Sequence, residues 1–220
     1  MSAQPTLVIG NKNYSSWSLR PWLVLRQFGV AFDEVKLPLD TPEFYARIGD
    51  YSPAGRVPVL IDGDVHVWDS LAICEYANDY FLDGRGWPAA RAARGSARAI
   101  SAEMHSGFVA LRTNMPMNTR RQGPAPAIAA DTAKDIARIC KLWSEAREKH
   151  AAHGPFLFGA FSIADAMYAP VALRFLSYSV DVGAVERAYI DTLFALPALR
   201  EWLAEAATEE IAVEHEKTTP

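Results

Sequence analysis

The apolar pattern of this 220-residue chain changes once, near residue 82, and that change restricts the fold more than any other feature of the sequence. Before it, short apolar runs of strand length alternate with helix-like runs, and after it every apolar run repeats with helical spacing. The stretch between them, residues 82–90, contains two glycines and a proline and is expected to be a linker. The sequence therefore predicts an α/β domain over residues 1–82 followed by an all-helical domain over residues 90–220.

The first half predicts the element order β-α-β-α-β-β-α. Strands are expected over residues 6–10, 32–37, 57–61 and 65–68, and helices over residues 19–28, 42–48 and 71–80. The Asp62-Gly63 pair between two apolar runs indicates a hairpin. In the second half, helices are expected over residues 89–115, 127–150, 163–177, 183–194 and 198–210, with breaks at Pro116 and residues 123–126.

Charge and composition exclude several classes of function. The net charge of −4 gives no basic surface for nucleic acid. No apolar run approaches the roughly 20 residues that cross a bilayer, and the start of the chain lacks a secretory signal, so we expect a cytoplasmic protein without a membrane partner. Cys74 and Cys140 both lie in helix-like patterns, which predicts buried free thiols. We therefore expect neither a disulfide framework nor a metal site.

The segment Tyr14-Ser15-Ser16-Trp17 lies between the first strand and the first helix. Hydroxyl groups and free backbone N–H groups at the positive end of a helix stabilise an anion such as a carboxylate or a thiolate. This turn is the first candidate site in the chain.

Three more motifs follow along the chain. Ser52-Pro53-Ala54-Gly55-Arg56 leads into Val57-Pro58, Asp69-Ser70 begins the third helix, and Ser162-Ile163-Ala164-Asp165 has the spacing of a helix capping box. Reciprocal bonds to backbone N–H groups account for the last motif without any ligand, so Ser162 and Asp165 are not assigned to a site. An ordinary N-cap is the alternative role for Asp69 and Ser70.

Together these motifs resemble those of the cytosolic glutathione S-transferases, across roughly residues 6–207. The serine pattern is most similar to the serine-dependent, zeta-class-like bacterial members. The resemblance implies an N-terminal thioredoxin-like domain that binds glutathione as co-substrate and an all-helical domain that binds the electrophile. It also implies that the Val57-Pro58 bond is cis, that the Val57 backbone pairs with glutathione, and that Arg56 holds its glycine carboxylate. Asp69 and Ser70 would bind the γ-glutamyl end.

By the same resemblance, Ser15 corresponds to the catalytic serine, with Ser16 as the next candidate and Tyr14 as a competitor. A thiol of this type has a pKa of about 8.5 in water, so only a minority is thiolate at neutral pH. A serine hydroxyl and helix N–H groups that donate to the sulfur would lower the pKa of the thiol and make glutathione the nucleophile. No general base is required.

The chain departs from the family pattern at two positions. Ser52 stands where Asn is usual, and Trp17 stands where zeta-class members carry Cys. Without that Cys, a mixed disulfide cannot form at the helix start. The bulk of Trp17 also puts maleylacetoacetate isomerisation in doubt. Packing between the domains is an alternative role for Trp17 and the expected one for Trp22.

The electrophile is expected to lie between the two halves of the chain. Met104, Phe108 and Arg112 have near-helical spacing and, with Tyr14 and Trp17, are the candidate substrate-binding residues. Arg112 is the strongest of these because it could bind an anionic group, whereas Met and aromatic residues at this spacing are commonly core. No role is assigned to His105.

The expected function is therefore a glutathione S-transferase acting on a small electrophile. The alternatives are a glutathione-binding protein without significant turnover and a glutathione-dependent cis-trans isomerase. The resemblance also implies a homodimer.

Overall fold

The computed structural model describes residues 4–123 and 127–210. Part of the expected break at residues 123–126 and the polar tail after residue 210 lie outside these ranges. A four-stranded sheet forms in the order β2-β1-β3-β4, in which β1 and β2 are parallel and the other neighbours are antiparallel. The strands are β1 (Thr6–Ile9), β2 (Asp33–Lys36), β3 (Val59–Asp62) and β4 (Val65–Trp68). The thioredoxin-like prediction is confirmed.

The two faces of this sheet are covered by different helices. Leu7 and Ile9 of β1 belong to the main core together with α1 (Ser16–Gln27) and α3 (Ser70–Tyr80). Val8 points the other way, into a smaller cluster with Phe44 of α2 (Pro42–Arg47). This alternation follows from the two-residue period of a strand. Helix α1 begins three residues earlier than predicted, because Ser15 caps it.

The second half of the chain is helical, as predicted. Its helices are α4 (Arg91–Ser106), α5 (Val109–Asn114), α6 (Ala130–His150), α7 (Ile163–Ser177), α8 (Ala184–Phe194) and α9 (Pro197–Thr208). Helix α7 is buried on almost all sides and packs against α1, α4 and α8. The predicted capping box at its start is confirmed, since Asp165 accepts the Ser162 N–H at 2.8 Å. Within the described residues no helix has the length and apolar character needed to cross a membrane.

The predicted helix over residues 89–115 is wrong in one respect, because it is broken into α4 and α5. A side chain at Gly107 would place its Cβ 2.7 Å from the carbonyl oxygen of Glu103, so the chain passes too close for any other residue. Phe108 follows with a left-handed φ of 53°. The break separates Arg112 from the axis of α4.

Candidate functional site

The turn from β1 into α1, which we call the serine turn (residues 10–18), is held by hydrogen bonds within itself. The Ser15 N–H donates to the Asn11 carbonyl at 2.8 Å, and Ser15 Oγ accepts the Ser18 N–H at 3.3 Å. The Oγ atoms of Ser15 and Ser18 lie 2.7 Å apart, and the Gly10 N–H donates to Ser18 Oγ at 3.1 Å. Ser15 is 6% exposed and lines the cleft described below. Its hydroxyl is therefore fixed in position before any ligand binds.

Ser16 receives a hydrogen bond from the helical half of the molecule. Its Oγ accepts from Nη2 of Arg174 on α7 at 3.2 Å. Arg174 is 4% exposed and also donates to the carbonyls of Met115 at 2.7 Å and Pro170 at 3.2 Å. Burial, and then the charge of Arg112, lower the pKa of Arg174 to about 10, so the guanidinium stays charged at neutral pH.

Sequence reasoning missed Arg174. The available signal was its isolation, since it is the one charged residue between Ala166 and Leu176 in an otherwise apolar helix. A charged residue in such a run is rarely buried without a reason.

Two guanidinium groups lie over the ring of Trp17. The Cζ atom of Arg20 is 4.2 Å from the ring centroid and that of Arg112 is 5.4 Å away. Both distances are within the range of cation–π attraction. Arg20 is fully buried and donates to Ser70 Oγ at 3.4 Å. Trp17 thus holds charged groups at the site, which goes beyond the packing role considered from sequence.

The charge of the buried Arg20 guanidinium is balanced by few hydrogen bonds. Its Nε and Nη2 atoms have no hydrogen-bond partner within the described parts of the chain. Burial, and then the charge of Arg174, lower the pKa of Arg20 to about 9. We call Arg20, Arg112 and Arg174 the arginine cluster. In the described residues none of the three has a carboxylate within ion-pair distance.

A cleft of about 590 Å³ opens above the serine turn, between the two halves of the molecule. Its lining includes Tyr14, Ser15, Ser16, Trp17, Arg56, Val57, Arg112 and Arg174. A second cavity of about 580 Å³ shares four of these residues, Trp17, Arg56, Val57 and Arg112. It adds Pro58, Asp69, Ser70 and His105. Most of the residues singled out from sequence therefore lie around one continuous site.

The loop before β3 presents Arg56 and Val57 to both cavities. Ser52 Oγ accepts the Arg56 N–H at 3.3 Å, so the serine that stands in place of the usual Asn closes the loop by a side-chain-to-backbone bond. Gly55 has a φ of 62°, which favours glycine. The Val57-Pro58 bond is cis, which confirms the prediction. Arg56 itself is exposed.

Asp69 both caps α3 and faces the second cavity. Its Oδ1 accepts the N–H groups of Leu71 at 2.9 Å and Ala72 at 3.2 Å. Its Oδ2 lies 3.1 Å from Nε2 of His105 on α4. Burial lowers the pKa of His105 although Asp69 opposes that shift, so the imidazole is neutral at pH 7. The capping role and the place in the site are compatible, and His105 joins the site without having been predicted there.

Two predicted substrate-binding residues are placed elsewhere. Met104 is fully buried and Phe108 is 8% exposed, both in the main hydrophobic core, and neither lines the two cavities. Met104 lies on the face of α4 that packs inward, and Phe108 packs into the same core from the break between α4 and α5, so the core interpretation holds for both. Arg112 lines both cavities and donates from Nε to the carbonyl of Gly107 at 3.1 Å. The break at Gly107 and Phe108 is what turns it toward the cleft.

Two family models match the chain. The glutathione S-transferase N-terminal domain matches residues 14–79, and the glutathione S-transferase C-terminal domain matches residues 126–205. Together these ranges span well over half of the chain. They include every residue of the serine turn from Tyr14 onward, the Val57-Pro58 pair, Asp69-Ser70 and Arg174.

Individual proteins show the same likeness. Dichloromethane dehalogenase of Methylorubrum extorquens is 40% identical over 62 residues, which are 27% of this chain and about a fifth (21%) of that protein. A glutathione transferase homolog from Burkholderia with bound glutathione is 22% identical, with a TM-score of 0.69 over 94% of this chain and 100% of that one. A tau-class glutathione S-transferase from mango (Mangifera indica) is 15% identical, with a TM-score of 0.71 and full coverage of both chains. At these identities the two structures show a shared fold.

Proposed function

Because the chain belongs to the glutathione S-transferase family, we propose that it binds glutathione in the cleft and activates the thiol for attack on a small electrophile. The observation that carries this proposal is the convergence on one cleft of two buried serines, the Arg56-Val57 pair and two arginines from the helical half. Hydroxyl donors and positive charge are what a thiolate requires. The proposed reaction leaves the serine protonated, while the thiol proton is lost to solvent.

We propose one orientation for glutathione in the cleft. Its glycine carboxylate is assigned to the exposed guanidinium of Arg56, and its cysteinyl main chain to the backbone of Val57. The γ-glutamyl end then reaches the second cavity, where Ser70 and the start of α3 can bind its carboxylate and Asp69 its ammonium. In this proposed orientation the sulfur would lie near the serine turn.

We assign the thiolate to Ser15, with Ser16 as the second donor and Tyr14 as the third candidate. All three line the cleft. Ser15 is supported by its position as the N-cap, where its hydroxyl lies at the positive end of the dipole of α1. The electrophile is assigned to the part of the cleft that Trp17 and Arg112 line together.

The test combines binding with turnover. The wild type is expected to bind glutathione and to accelerate its conjugation to a chloronitrobenzene electrophile, while Ser15→Ala keeps binding within about threefold and loses about 10²-fold or more in kcat/KM. Ser16→Ala and Tyr14→Phe rank the other two candidates. Glutathione binding without a rate above background, over a broad panel of electrophiles that includes a cis-dienoate, would contradict the enzymatic proposal and leave a binding protein.

We also propose that two copies form a homodimer. Strand β4 is an edge of the sheet, and its Val65 side chain is 46% exposed. Apolar side chains on an open sheet edge favour coverage by a partner. Size-exclusion chromatography with light scattering should give twice the chain mass, and a monomer at micromolar concentration would contradict the proposal.

A further inference from the structure

Ser18 lies directly beneath Ser15 and is fully buried, so it does not reach the cleft itself. Its Oγ has two hydrogen-bond neighbours within the described residues, the Gly10 N–H at 3.1 Å and Ser15 Oγ at 2.7 Å. Sequence reasoning gave this serine no role, although it stands one helical turn after Ser15. Its contacts decide which way the Ser15 hydroxyl points.

The direction of the bond between the two hydroxyls follows from counting hydrogens. A backbone N–H can only donate, so the Gly10 bond uses Ser18 Oγ as an acceptor. Each hydroxyl has one hydrogen to give. If Ser15 gave its hydrogen to Ser18, the hydrogen of Ser18 would be left buried without an acceptor, which is unfavourable. The bond is satisfied on both sides when Ser18 donates to Ser15.

With that direction fixed, Ser15 Oγ accepts twice, from the Ser18 hydroxyl and from the Ser18 N–H at 3.3 Å. The hydrogen of the Ser15 hydroxyl is then available for donation, and the cleft that Ser15 lines is where it can find an acceptor. Hydrogen bonds in such a chain polarise one another, so each donor strengthens the next. The Gly10 N–H therefore acts through Ser18 on the hydroxyl of Ser15.

We propose that Ser18 is a positioning residue that aims and polarises the Ser15 hydroxyl toward the glutathione sulfur. This inference rests on the proposed function, since it requires a thiolate beside Ser15. Ser16 is not part of the hydrogen-bond chain from Gly10 through Ser18 to Ser15, because its Oγ accepts from Arg174 instead. The two serines are thus polarised by separate donors, and this separation provides an internal control.

The experiment measures the pKa of the enzyme-bound glutathione thiol from its ultraviolet absorbance against pH. Ser18→Ala should raise the pKa of that thiol by about 0.5 to 1 and lower kcat/KM about three- to tenfold near neutral pH. The loss should shrink above the pKa of the thiol, and glutathione affinity should stay within about twofold. In a Ser15→Ala background, Ser18→Ala should produce no further change, whereas in a Ser16→Ala background it should keep its full effect.

Two further variants serve as controls for this experiment. Ser101→Ala removes another fully buried serine, one that donates only to the Ala97 carbonyl at 2.8 Å, and should leave the pH profile unchanged. Ser18→Cys keeps a weak donor of similar shape and should give an intermediate effect, which preserves the test if Ser18→Ala does not fold.

If the pKa of the bound thiol is lowered in the wild type and Ser18→Ala does not change it, the proposed role of Ser18 is overturned and the proposed function stands. The role of Ser18 is also overturned if Ser18→Ala changes the thiol pKa as much in the Ser15→Ala background as in the wild type. A wild type that does not bind glutathione overturns the proposed function and this inference with it.

Discussion

Two buried positive regions flank the serine turn, and they differ in how their charge is balanced. Lys12 is 1% exposed, and its Nζ lies 2.8 Å from Glu34 and 2.5 Å from Glu205. The same nitrogen lies 4.8 Å and 5.4 Å from the ring centroids of Trp22 and Trp202. We call these five residues the lysine cage. The arginine cluster has no comparable carboxylates among the described residues.

The difference separates a structural charge from a functional one. The lysine cage joins the serine turn, β2 and α9, and the Trp202 Nε1–H donates to the Lys12 carbonyl at 2.9 Å. Trp22 packs at this junction, as expected from sequence. A buried cation without its counter-ion is unfavourable unless an anion arrives. We interpret the arginine cluster as prepared for the charge of bound glutathione, and the lysine cage as the anchor of the turn.

The largest expected effect is on stability in the lysine cage. Lys12→Met leaves two carboxylates facing each other and should lower the free energy of unfolding by about 2 kcal/mol or more, measured by urea denaturation. Lys141→Met is the matched control, because its pair with Glu145 is exposed on both sides, 66% on the lysine and 49% on the glutamate, and should contribute less than about 1 kcal/mol. Equal effects of the two substitutions would contradict the comparison.

In contrast to Lys12→Met, Arg174→Met should affect activity more than stability. Relief of a buried charge offsets the hydrogen bonds that are lost, so the free energy of unfolding should change by less than about 1 kcal/mol. The pKa of bound glutathione should rise, and kcat/KM should fall about tenfold, because the donor to Ser16 and a nearby positive charge are gone. A stability loss like that of Lys12→Met with unchanged activity would make Arg174 a structural residue.

The dependence of glutathione binding on salt should be a smaller effect of the arginine cluster. Because Arg56 is exposed and the arginine cluster has no ion-pair partner among the described residues, the Kd for glutathione should rise about threefold between about 0.05 and 0.5 M NaCl. In Arg56→Gln the dependence should be about half as steep, which calorimetric titration can measure. A salt-independent Kd in the wild type would argue against recognition by these charges.

The smallest effect concerns His105, which lies beside the arginine cluster. Burial lowers its pKa in the folded protein, with smaller contributions from Arg20 and Arg112, against the opposing effect of Asp69. The unfolded chain therefore binds a proton below about pH 6.5 that the folded chain does not, and stability should fall as the pH decreases through that value. His105→Gln should reduce this fall, which urea midpoints at about pH 7.5 and 5.5 would reveal. A pH dependence that stays the same in the variant would exclude His105 as its source.

Local signals explain what could be predicted from sequence. The order of strands and helices along the chain, the Asp69 cap and the hairpin at Gly63 each depend on residues within a few positions of one another. The family resemblance added the cis bond before Pro58. The arginine cluster and the lysine cage could not be predicted in this way, because Ser16 meets Arg174 across 158 residues and Lys12 meets Glu205 across 193.

The break at Gly107 was missed for a related reason. A single glycine in a helical pattern does not by itself end a helix, and the close approach that requires it is visible only in three dimensions. Met104 and Phe108 were accordingly predicted to line the pocket, whereas both side chains lie in the main hydrophobic core. Arg112 lines both cavities, and the broken helix that brings it there was not foreseen.

The most direct test of the central claim is the pKa of the glutathione thiol when it is bound to the wild-type protein. A thiolate held by Ser15 beside the arginine cluster should titrate at least about one pH unit below the value of about 8.5 for a free thiol, and Ser15→Ala should return most of that difference. A bound thiol that titrates like free glutathione in the wild type would contradict the account.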